Sequence, residues 1–235
     1  ELKKTKKAVS LVASELLNVY TKKEKKRPFK YIKENDLNNS LKESFPFVET
    51  PDQKQAIYDV FYDMNNNKPM DRLICGDVGF GKTEVALRAI FKSTLTKKQT
   101  LFICPTTILA DQHFISCKDR LGSLGVNVFL LSRFKTQAEQ KKIIERVKTN
   151  KVDVLIGTHR VLSKDVYLPN LGLLIIDEEH RFGVSHKEKI QTIKENVDVL
   201  TLTATPIPRT LQQSLVGVRS VSLIQTPPKS RKPIE

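Results

Sequence analysis

Seven short apolar runs, separated by segments of helix length, most strongly constrain how this chain can fold. The runs occupy residues 72–75, 100–104, 126–132, 152–158, 171–178, 197–205 and 220–224. Patterns with helical spacing occupy the neighbouring segments, for example 52–64, 82–95, 108–121, 136–149 and 206–214. Strands that are apolar on both faces and alternate with helices form a parallel sheet with helices packed on both sides. We therefore predict an α/β fold with a mainly parallel sheet, in which ligands bind beyond the carboxyl ends of the strands.

Length and charge divide the chain into a core and a basic amino-terminal extension. The chain has 235 residues and a formal net charge of +14, and residues 1–35 hold 11 Lys/Arg against four Asp/Glu. This positive charge favours anionic partners, above all nucleic acid, although a solvated lysine-rich face has the same composition. A stripe with alternating spacings of three and four predicts an amphipathic helix: Leu2, Thr5, Val9, Val12, Leu16 and Val19. We predict a basic helix and a polar linker over 1–44, a core domain over 45–226, and the start of a linker to a second lobe over 227–235.

The composition disfavours membrane and secreted proteins. No apolar run approaches the length of a membrane span, and the chain does not open with a signal-peptide pattern. Its three cysteines have no metal-ligand spacing, which is typical of small core residues in a reducing cytoplasm. Because the chain begins at Glu1 and its only methionines are Met64 and Met70, we expect a piece of a longer, cytoplasmic protein.

The segment GDVGFGKT, Gly76–Thr83, fits the phosphate-binding pattern G-x-x-x-x-G-K-[ST] in full. It follows a predicted strand and opens a predicted helix, which is the context that this loop requires. Its glycines let consecutive backbone N–H groups point at a phosphate, and the start of the helix adds further donors. Lys82 is expected to reach the β- and γ-phosphates of ATP, and the Thr83 hydroxyl to ligate Mg²⁺. The predicted nucleotide contacts in this region are Gly76, Asp77, Val78, Gly79, Phe80, Gly81, Lys82, Thr83 and Glu84.

Acidic residues at the end of another predicted strand provide a partner for the phosphate loop. The segment LLIIDEEHRFGV, Leu173–Val184, runs from four apolar residues directly into an acidic turn. On its own, an acidic strand end is most often simply solvated. Opposite a phosphate loop, Asp177 is expected to hold Mg²⁺, and Glu178 to orient and deprotonate the attacking water.

The D-E-x-H pattern at 177–180 and the later TAT at 203–205 make the chain resemble superfamily 2 helicases and translocases, whose motor lobes are RecA-like. Further motifs occur in the family order: PFVETPDQ at 46–53, PTTILADQH at 105–113, GTHR at 157–160 and LTATPIPRT at 202–210. The resemblance covers residues 45–226 and implies ATP and Mg²⁺ as cofactors. It also implies that Phe47 stacks on the adenine base and that Gln53 bonds to the edge of that base.

Finer features resemble the motor core of bacterial transcription-repair coupling factors. These features are CGDVGFGKTEVA, DEEHRFGV, TATPIPRTL, the Ser-Arg-Phe at 132–134 and ELLNVY in the lysine-rich extension. The related fork-remodelling helicase RecG shares RFGV and TATPIPRTL but typically has glutamine at the position of Glu179. The resemblance implies double-stranded DNA as a partner. It also implies RNA polymerase and nucleotide-excision-repair proteins, contacted through other parts of the parent protein, and we expect no membrane partner.

The resemblance further implies that duplex DNA lies across the edge opposite the nucleotide pocket of the sheet. The residues that would contact DNA are Thr106, Thr107, Gln112, His113, Arg133, Thr158, His159 and Arg209. Each has an ordinary alternative, since Thr106 and Thr107 are suited to be helix N-caps and Arg209 to pair with a surface acid.

The acidic turn would also connect ATP hydrolysis to DNA binding. His180 is expected to bond to a second motor lobe and to Thr203 or Thr205; the less favoured alternative is a satisfied polar residue at a strand end. The predicted catalytic residues are thus Lys82, Asp177, Glu178 and His180, with Thr203 and Thr205 as coupling residues.

Two other interpretations stay open at this point. One is a RecG-like or RNA-directed helicase lobe, and the other is a non-catalytic binding module that keeps the phosphate loop only for structure. Intact Lys82, Thr83, Asp177 and Glu178 favour an enzyme. Superfamily 2 motors close ATP between two lobes, and these residues contain no Q-x-x-G-R-x-G-R motif to supply an arginine finger. We therefore expect weak nucleotide binding and slow hydrolysis by these residues alone.

Overall fold

A seven-stranded sheet forms the centre of the computed structural model, which describes residues 26–32, 36–195, 197–205 and 219–228. The strands are β1 Asp71–Gly76, β2 Gln99–Ile103, β3 Val128–Leu131, β4 Val154–Gly157, β5 Leu171–Asp177, β6 Asp198–Thr203 and β7 Ser220–Ile224. Their order in the sheet is β3-β4-β2-β5-β6-β1-β7, and every neighbouring pair is parallel. The predicted α/β fold is confirmed. The predicted amino-terminal helix, Arg209 and the linker beyond residue 228 lie outside the described residues.

Helices connect the strands, and three of those described begin at a threonine N-cap whose side chain accepts a backbone hydrogen bond. The helices are α1 Asp36–Glu43, α2 Pro51–Asn65, α3 Lys82–Leu95, α4 Thr107–Leu121, α5 Gln137–Lys148 and α6 Val184–Lys194. Thr50 and Thr136 form capping boxes with Gln53 and Glu139, so the first backbone N–H groups of α2 and α5 are satisfied. None of the described helices is both long and apolar enough to cross a membrane.

The inner strands β2, β4, β5 and β6 are buried on both faces, as their apolar composition predicts. Along β5, Leu173 and Ile175 pack into one hydrophobic core, whereas Leu174 and Ile176 pack into a second core on the other face. The first core includes residues of α2, α3 and α4, and the second includes residues of α5 and α6. Because side chains alternate along a strand, a continuous apolar run is what a sheet between two helical layers needs.

The segment before the core differs from the polar linker that we predicted between the basic helix and residue 45. It contains α1, and both Tyr31 and Leu41 are buried in the first core. The Tyr31 hydroxyl donates a hydrogen bond to the Asp198 carboxylate at 2.7 Å, and the Arg27 guanidinium bonds to the same carboxylate at 2.8 Å. The segment is packed against the amino-terminal end of the sheet, and its few widely spaced apolar residues gave no periodic signal.

Parallel topology brings the ends of β1, β6 and β5 side by side at the carboxyl edge. The phosphate loop follows β1, the TAT segment ends β6, and the acidic turn follows β5. Neighbouring strands lie about 4.8 Å apart, so β1 and β5 are separated by roughly 10 Å. Segments more than 90 residues apart in sequence therefore meet around one site.

Candidate active site

The phosphate loop curls between β1 and α3 with its lysine folded back onto it. Gly79 and Gly81 both have a φ of 82°, the left-handed region that favours glycine, and Gly81 is the N-cap of α3. The Lys82 ammonium donates hydrogen bonds to the carbonyl oxygens of Gly76 at 2.6 Å and Asp77 at 3.0 Å. Burial lowers the pKa of Lys82, and the negative charges of Glu178 and Asp177 act in the opposite direction. Lys82 thus lies within electrostatic reach of the acidic turn.

The two left-handed glycines provide a matched pair of substitutions. Gly81→Ala is expected to destabilise the loop more than Gly79→Ala, because a Cβ at Gly81 would overlap the Gln53 amide, whereas one at Gly79 meets open space. Both changes share the backbone strain of about 1–2 kcal/mol. The free energy of unfolding from guanidinium titrations and the affinity for a fluorescent ATP analogue measure the difference. Equal losses in the two variants would show that the Gln53 contact is unimportant.

Gln53 fixes the position of the phosphate loop against α2. Its side chain is 2% exposed, its Oε1 accepts a hydrogen bond from the Thr50 N–H at 2.9 Å, and its Nε2 donates to the Phe80 carbonyl at 2.8 Å. Recognition of adenine by Gln53 stays a prediction, and these two bonds leave the second Nε2 hydrogen and the second Oε1 lone pair for it.

A cavity of about 470 Å³ opens next to the phosphate loop. Its walls include Phe45, Phe47, Gln53, Gly81, Thr83 and Arg120. The Phe45 and Phe47 rings meet edge to face with centroids 5.6 Å apart, and Phe47 is 56% exposed. A volume of this size is typical of small-ligand pockets. The cavity therefore has room and an accessible aromatic ring for a nucleotide base.

A buried charge network supports the floor of this cavity. The Glu84 carboxylate pairs with Arg88 at 2.7 Å and with Arg120 at 2.8 Å, and Arg88 also pairs with Glu49 at 2.8 Å. The Arg120 guanidinium in turn lies 5.2 Å from the centroid of the Phe45 ring. The Glu84 side chain, predicted to contact the nucleotide, is thus committed to two arginines. Sequence reasoning missed Arg120, which lies on α4 outside any recognised motif.

Asp177 ends β5 in a largely buried position beside α4. It is 7% exposed, and its Oδ2 lies 3.0 Å from Nε2 of His113. The His113 ring is 9% exposed and lies 4.5 Å, centroid to centroid, from the Phe102 ring. His113 was predicted to contact DNA. The structure instead places His113 on the side of α4 that faces the sheet, where it contacts Asp177.

Glu178 is held by the end of β6. Its Oε1 accepts a hydrogen bond from the Ala204 N–H at 2.7 Å, and its Oε2 accepts one from the Thr203 hydroxyl at 3.2 Å. Glu178 has a φ of 49°, which is uncommon for a residue other than glycine. His180 Nδ1 lies 3.3 Å from Oε2 of Glu178. Glu178, and not His180, is therefore the residue of the acidic turn that bonds to the TAT segment. His180 contacts Glu178 instead of the predicted Thr203 or Thr205.

Glu179 joins the acidic turn to α6 and to the segment before β7. It forms ion pairs with Lys194 and, at 3.7 Å, with Arg219. Burial raises the pKa of Glu179, but the positive charges of Lys194 and Arg219 outweigh it and hold the pKa below its usual value. A glutamine at this position would remove the charge that faces Lys194, whereas Arg219 would keep its closer ion pair with Asp71 at 2.8 Å.

The donor set at the site fits a magnesium ion that is bound together with a nucleotide. Among the described residues, no cluster of three or more His, Cys, Asp or Glu side chains forms a metal cage. Mg²⁺ takes one or two carboxylates from a protein and completes its shell with phosphate and water, so Asp177 and the Thr83 hydroxyl match it in the type of donor.

The predicted DNA contacts that the structure describes follow β2, β3 and β4, which form the other half of the sheet. They therefore lie on the same carboxyl edge as the phosphate loop and not on an opposite edge, as the resemblance implied. Thr106 and Gln112 are exposed at the start of α4, and Thr107 is half-buried. Thr106 is also the N-cap of α4 and accepts a hydrogen bond from Leu109 N–H at 3.3 Å, which was the alternative role.

The remaining predicted DNA contacts differ in exposure. Arg133 and His159 are exposed, and Arg133 lies 5.4 Å from the centroid of the exposed Phe134 ring. Thr158 is 2% exposed, and its hydroxyl has no hydrogen-bond partner among the described residues. Thr158 is therefore not accessible to DNA in this conformation, because the short helical turn after β4 covers it.

Comparison with known proteins gives consistent matches. A family model described as DEAD/DEAH box helicase matches residues 50–214. The chain is 50% identical over 233 residues to the transcription-repair-coupling factor of Bacillus subtilis (strain 168), and 54% identical over 224 residues to that of Haemophilus influenzae. These matches cover 99% and 95% of the chain, which spans only 20% of the length of either relative. The resemblance to transcription-repair coupling factors is confirmed.

Solved structures agree with this grouping. A structure of RecG bound to a three-way DNA junction matches with a TM-score of 0.79 and 35% identity, over 99% of the chain and 32% of RecG. The DEAD-box helicase Mss116, bound to ssRNA and UDP-BeF, matches with a TM-score of 0.62 and 17% identity, over 83% of the chain and 44% of Mss116, which shows a shared fold. The DEAD/DEAH box helicase model matches well over half of the residues of this chain, and the chain therefore belongs to the DEAD/DEAH box helicase family.

Proposed function

We propose that residues 45–226 are the ATP-binding lobe of a motor that moves along double-stranded DNA, and that the parent protein uses it to displace stalled RNA polymerase and couple transcription to repair. The residues before this lobe would join it to other parts of the parent. The proposal for DNA and polymerase rests on the similarity to transcription-repair-coupling factors and RecG.

One observation supports the ATP-dependent part most directly. The phosphate loop follows β1 and the acidic turn follows β5, and these two strands are the neighbours of β6 in the sheet. Thr203 and Ala204, at and after the end of β6, donate hydrogen bonds to the Glu178 carboxylate. In P-loop enzymes this arrangement places a triphosphate between backbone N–H donors and carboxylates.

Each residue then has a defined task. The Lys82 ammonium exchanges its bonds to the Gly76 and Asp77 carbonyls for phosphate oxygens. The Thr83 hydroxyl and Asp177 would hold Mg²⁺, which when bound with ATP neutralises part of the phosphate charge. Glu178, oriented by Thr203 and Ala204, would accept a proton from the attacking water. Phe47 would stack on the base in the adjoining cavity.

Phosphate contacts to DNA are proposed for the exposed residues of the β3-β4-β2 half of the carboxyl edge. Thr106, Thr107 and Gln112 lie in the first turns of α4, where backbone N–H groups and the helix dipole favour anions. Arg133 and His159 extend the same edge. Arg209 is retained as a proposed contact from the sequence alone.

Binding and turnover measurements test this function. We expect this chain to bind a fluorescent ATP analogue in a Mg²⁺-dependent manner and to prefer duplex DNA over single-stranded RNA at equal salt. We expect slow hydrolysis by residues 1–235, and strong stimulation by duplex DNA only in the parent protein, where a second lobe would supply an arginine finger. Fast, DNA-stimulated turnover by residues 1–235 would refute the requirement for a second lobe. Failure to bind any nucleotide would refute the motor function.

The structural similarity to RecG supports a second candidate, a lobe that acts on branched DNA. Stimulation of the parent protein by forked DNA well above that by plain duplex DNA would favour this candidate. Glu179, with its ion pairs to Lys194 and Arg219, is the position at which the sequence departs from the RecG pattern.

A further inference from the structure

His113 connects two parts of the proposed machinery that the known motifs do not join. It lies on α4, which begins with the proposed DNA contacts, and it bonds to Asp177, which ends β5 in the proposed nucleotide site. Gln112, the residue before it, is exposed, whereas His113 is buried. Adjacent residues of one helical turn thus face the proposed DNA path and the proposed metal ligand.

The bond to Asp177 has a defined direction. An ionised carboxylate only accepts hydrogen bonds, so Nε2 of His113 must carry the hydrogen that it donates to Oδ2 at 3.0 Å. This donation fixes the rotation of the carboxylate and occupies one of its oxygens. A partner that orients a metal-binding carboxylate from behind commonly changes metal affinity or activity by about 10- to 100-fold when it is removed.

The surroundings of His113 allow little independent movement. Its ring packs on Phe102 of β2, and α4 is anchored in the first core by Ala110, Cys117 and Leu121. A shift of α4 caused by an anion at its first turn would therefore move the His113 ring relative to Asp177. Coupling between two sites needs a packed physical connection of this kind.

We propose that His113 is a positioning residue that couples contact of α4 with DNA to the orientation of Asp177, and so to the affinity for Mg²⁺ and ATP. This inference rests on the proposed function. It differs from the link through Glu178, Thr203 and His180, because it joins the metal ligand to the helix after β2 and not to the end of β6.

An ordinary core role for His113 predicts different behaviour. A histidine that only fills space between Phe102 and Asp177 would alter stability when replaced, but would not change how strongly Mg²⁺ or DNA affects nucleotide binding. The test must therefore separate nucleotide affinity with Mg²⁺, nucleotide affinity in EDTA, and the change in each caused by DNA.

His113→Phe and His113→Gln form the informative pair. Phenylalanine keeps a ring against Phe102 and removes the donor, whereas the glutamine amide can restore a donor near the position of Nε2. His113→Leu serves as a second loss variant if the phenylalanine does not fold, as judged by circular dichroism. Ile115→Ala is the matched control, because Ile115 is exposed on the same helix and belongs to neither the proposed nucleotide contacts nor the proposed DNA contacts, so it should leave the effects of Mg²⁺ and DNA unchanged.

The measurement is a titration of a fluorescent ATP analogue with residues 1–235, with and without Mg²⁺ and with and without a blunt DNA duplex. We expect duplex DNA to tighten Mg²⁺-dependent binding to the unmodified chain by about fivefold or more. In His113→Phe, Mg²⁺-dependent affinity should fall about 10-fold or more while affinity in EDTA is unchanged, and the effect of DNA should disappear. His113→Gln should restore most of the Mg²⁺-dependent affinity and most of the effect of DNA on that affinity.

The outcomes distinguish this inference from the proposed function. If the unmodified chain binds ATP and DNA, but His113→Phe keeps the same Mg²⁺ dependence and the same response to DNA, this inference alone is wrong. Equal losses with Mg²⁺ and in EDTA would overturn it in favour of the core role. Absence of a DNA effect in the unmodified chain would also overturn it. If the unmodified chain binds neither ligand, the proposed function fails and this inference fails with it.

Discussion

Replacing Lys82 by alanine is expected to abolish most ATP binding by this chain. The lysine is the one cation within the phosphate loop itself, and losing one partner of a close charge pair costs about 2–5 kcal/mol. At about 1.4 kcal/mol per tenfold change, the dissociation constant should rise by roughly 30-fold to several-thousand-fold. Titration of a fluorescent ATP analogue in the presence of Mg²⁺ measures this change.

Glu178→Gln is the matched control for that experiment. Glutamine keeps an oxygen that can accept the Ala204 N–H and removes the basic group, so this variant should bind nucleotide while losing hydrolysis in the parent protein. Unchanged nucleotide affinity in Lys82→Ala would mean that the loop is not the phosphate site. It would then favour the non-catalytic binding module that the sequence left open.

The fold and the phosphate loop were predictable because their signals are local. Most strands are continuous apolar runs, and the loop at Gly76–Thr83 lies in the strand–loop–helix context that its glycines require. The acidic turn at Asp177 was predictable for the same reason, since the strand before it ends abruptly in carboxylates. Strand order was not predicted, and it is the order β5-β6-β1 that brings these two segments to the two sides of β6.

The partners of individual side chains were less predictable, because contacts distant in sequence decide them. His113 bonds to a residue 64 positions away, and Arg120 to one 36 positions away, and no periodic pattern encodes either pair. Gln53 was assigned to the adenine base by motif, yet its immediate partners are the backbone of Thr50 and Phe80. Motifs identify which residues gather at a site, whereas the packing decides what each one holds.

The contacts of Arg27 are another case in which residues distant in sequence decide what a side chain binds. Within the region predicted to be a basic helix and a linker, the Arg27 guanidinium donates hydrogen bonds to Asp198 and to backbone carbonyls at and after the end of α2. These carbonyls belong to Asp63, Met64, Asn66 and Lys68. Arginine in a basic, polar segment is ordinarily solvated, so nothing in the local sequence distinguished this buried guanidinium from its neighbours.

Arg27→Met is therefore expected to cause a large loss of stability. Methionine keeps much of the side-chain volume but leaves the buried Asp198 carboxylate without its cation, and breaking a buried ion pair in this way costs about 3–5 kcal/mol. Unfolding in guanidinium chloride, followed by circular dichroism, measures the loss. Arg160→Met is the control, because its partner Asp165 is 52% exposed and such pairs contribute less than about 1 kcal/mol.

The dependence of this loss on pH tests its cause. Burial raises the pKa of Asp198, and the positive charge of Arg27 acts in the opposite direction, so removing Arg27 should raise that pKa further. A carboxyl group whose folded-state pKa lies above its unfolded value stabilises the fold increasingly as the pH falls through the folded-state pKa, because protonation removes the buried charge. The stability difference between Arg27→Met and the unmodified chain should therefore shrink on acidification. A difference that stays constant between neutral and acidic pH would instead assign the loss to the α2 carbonyls, which do not titrate.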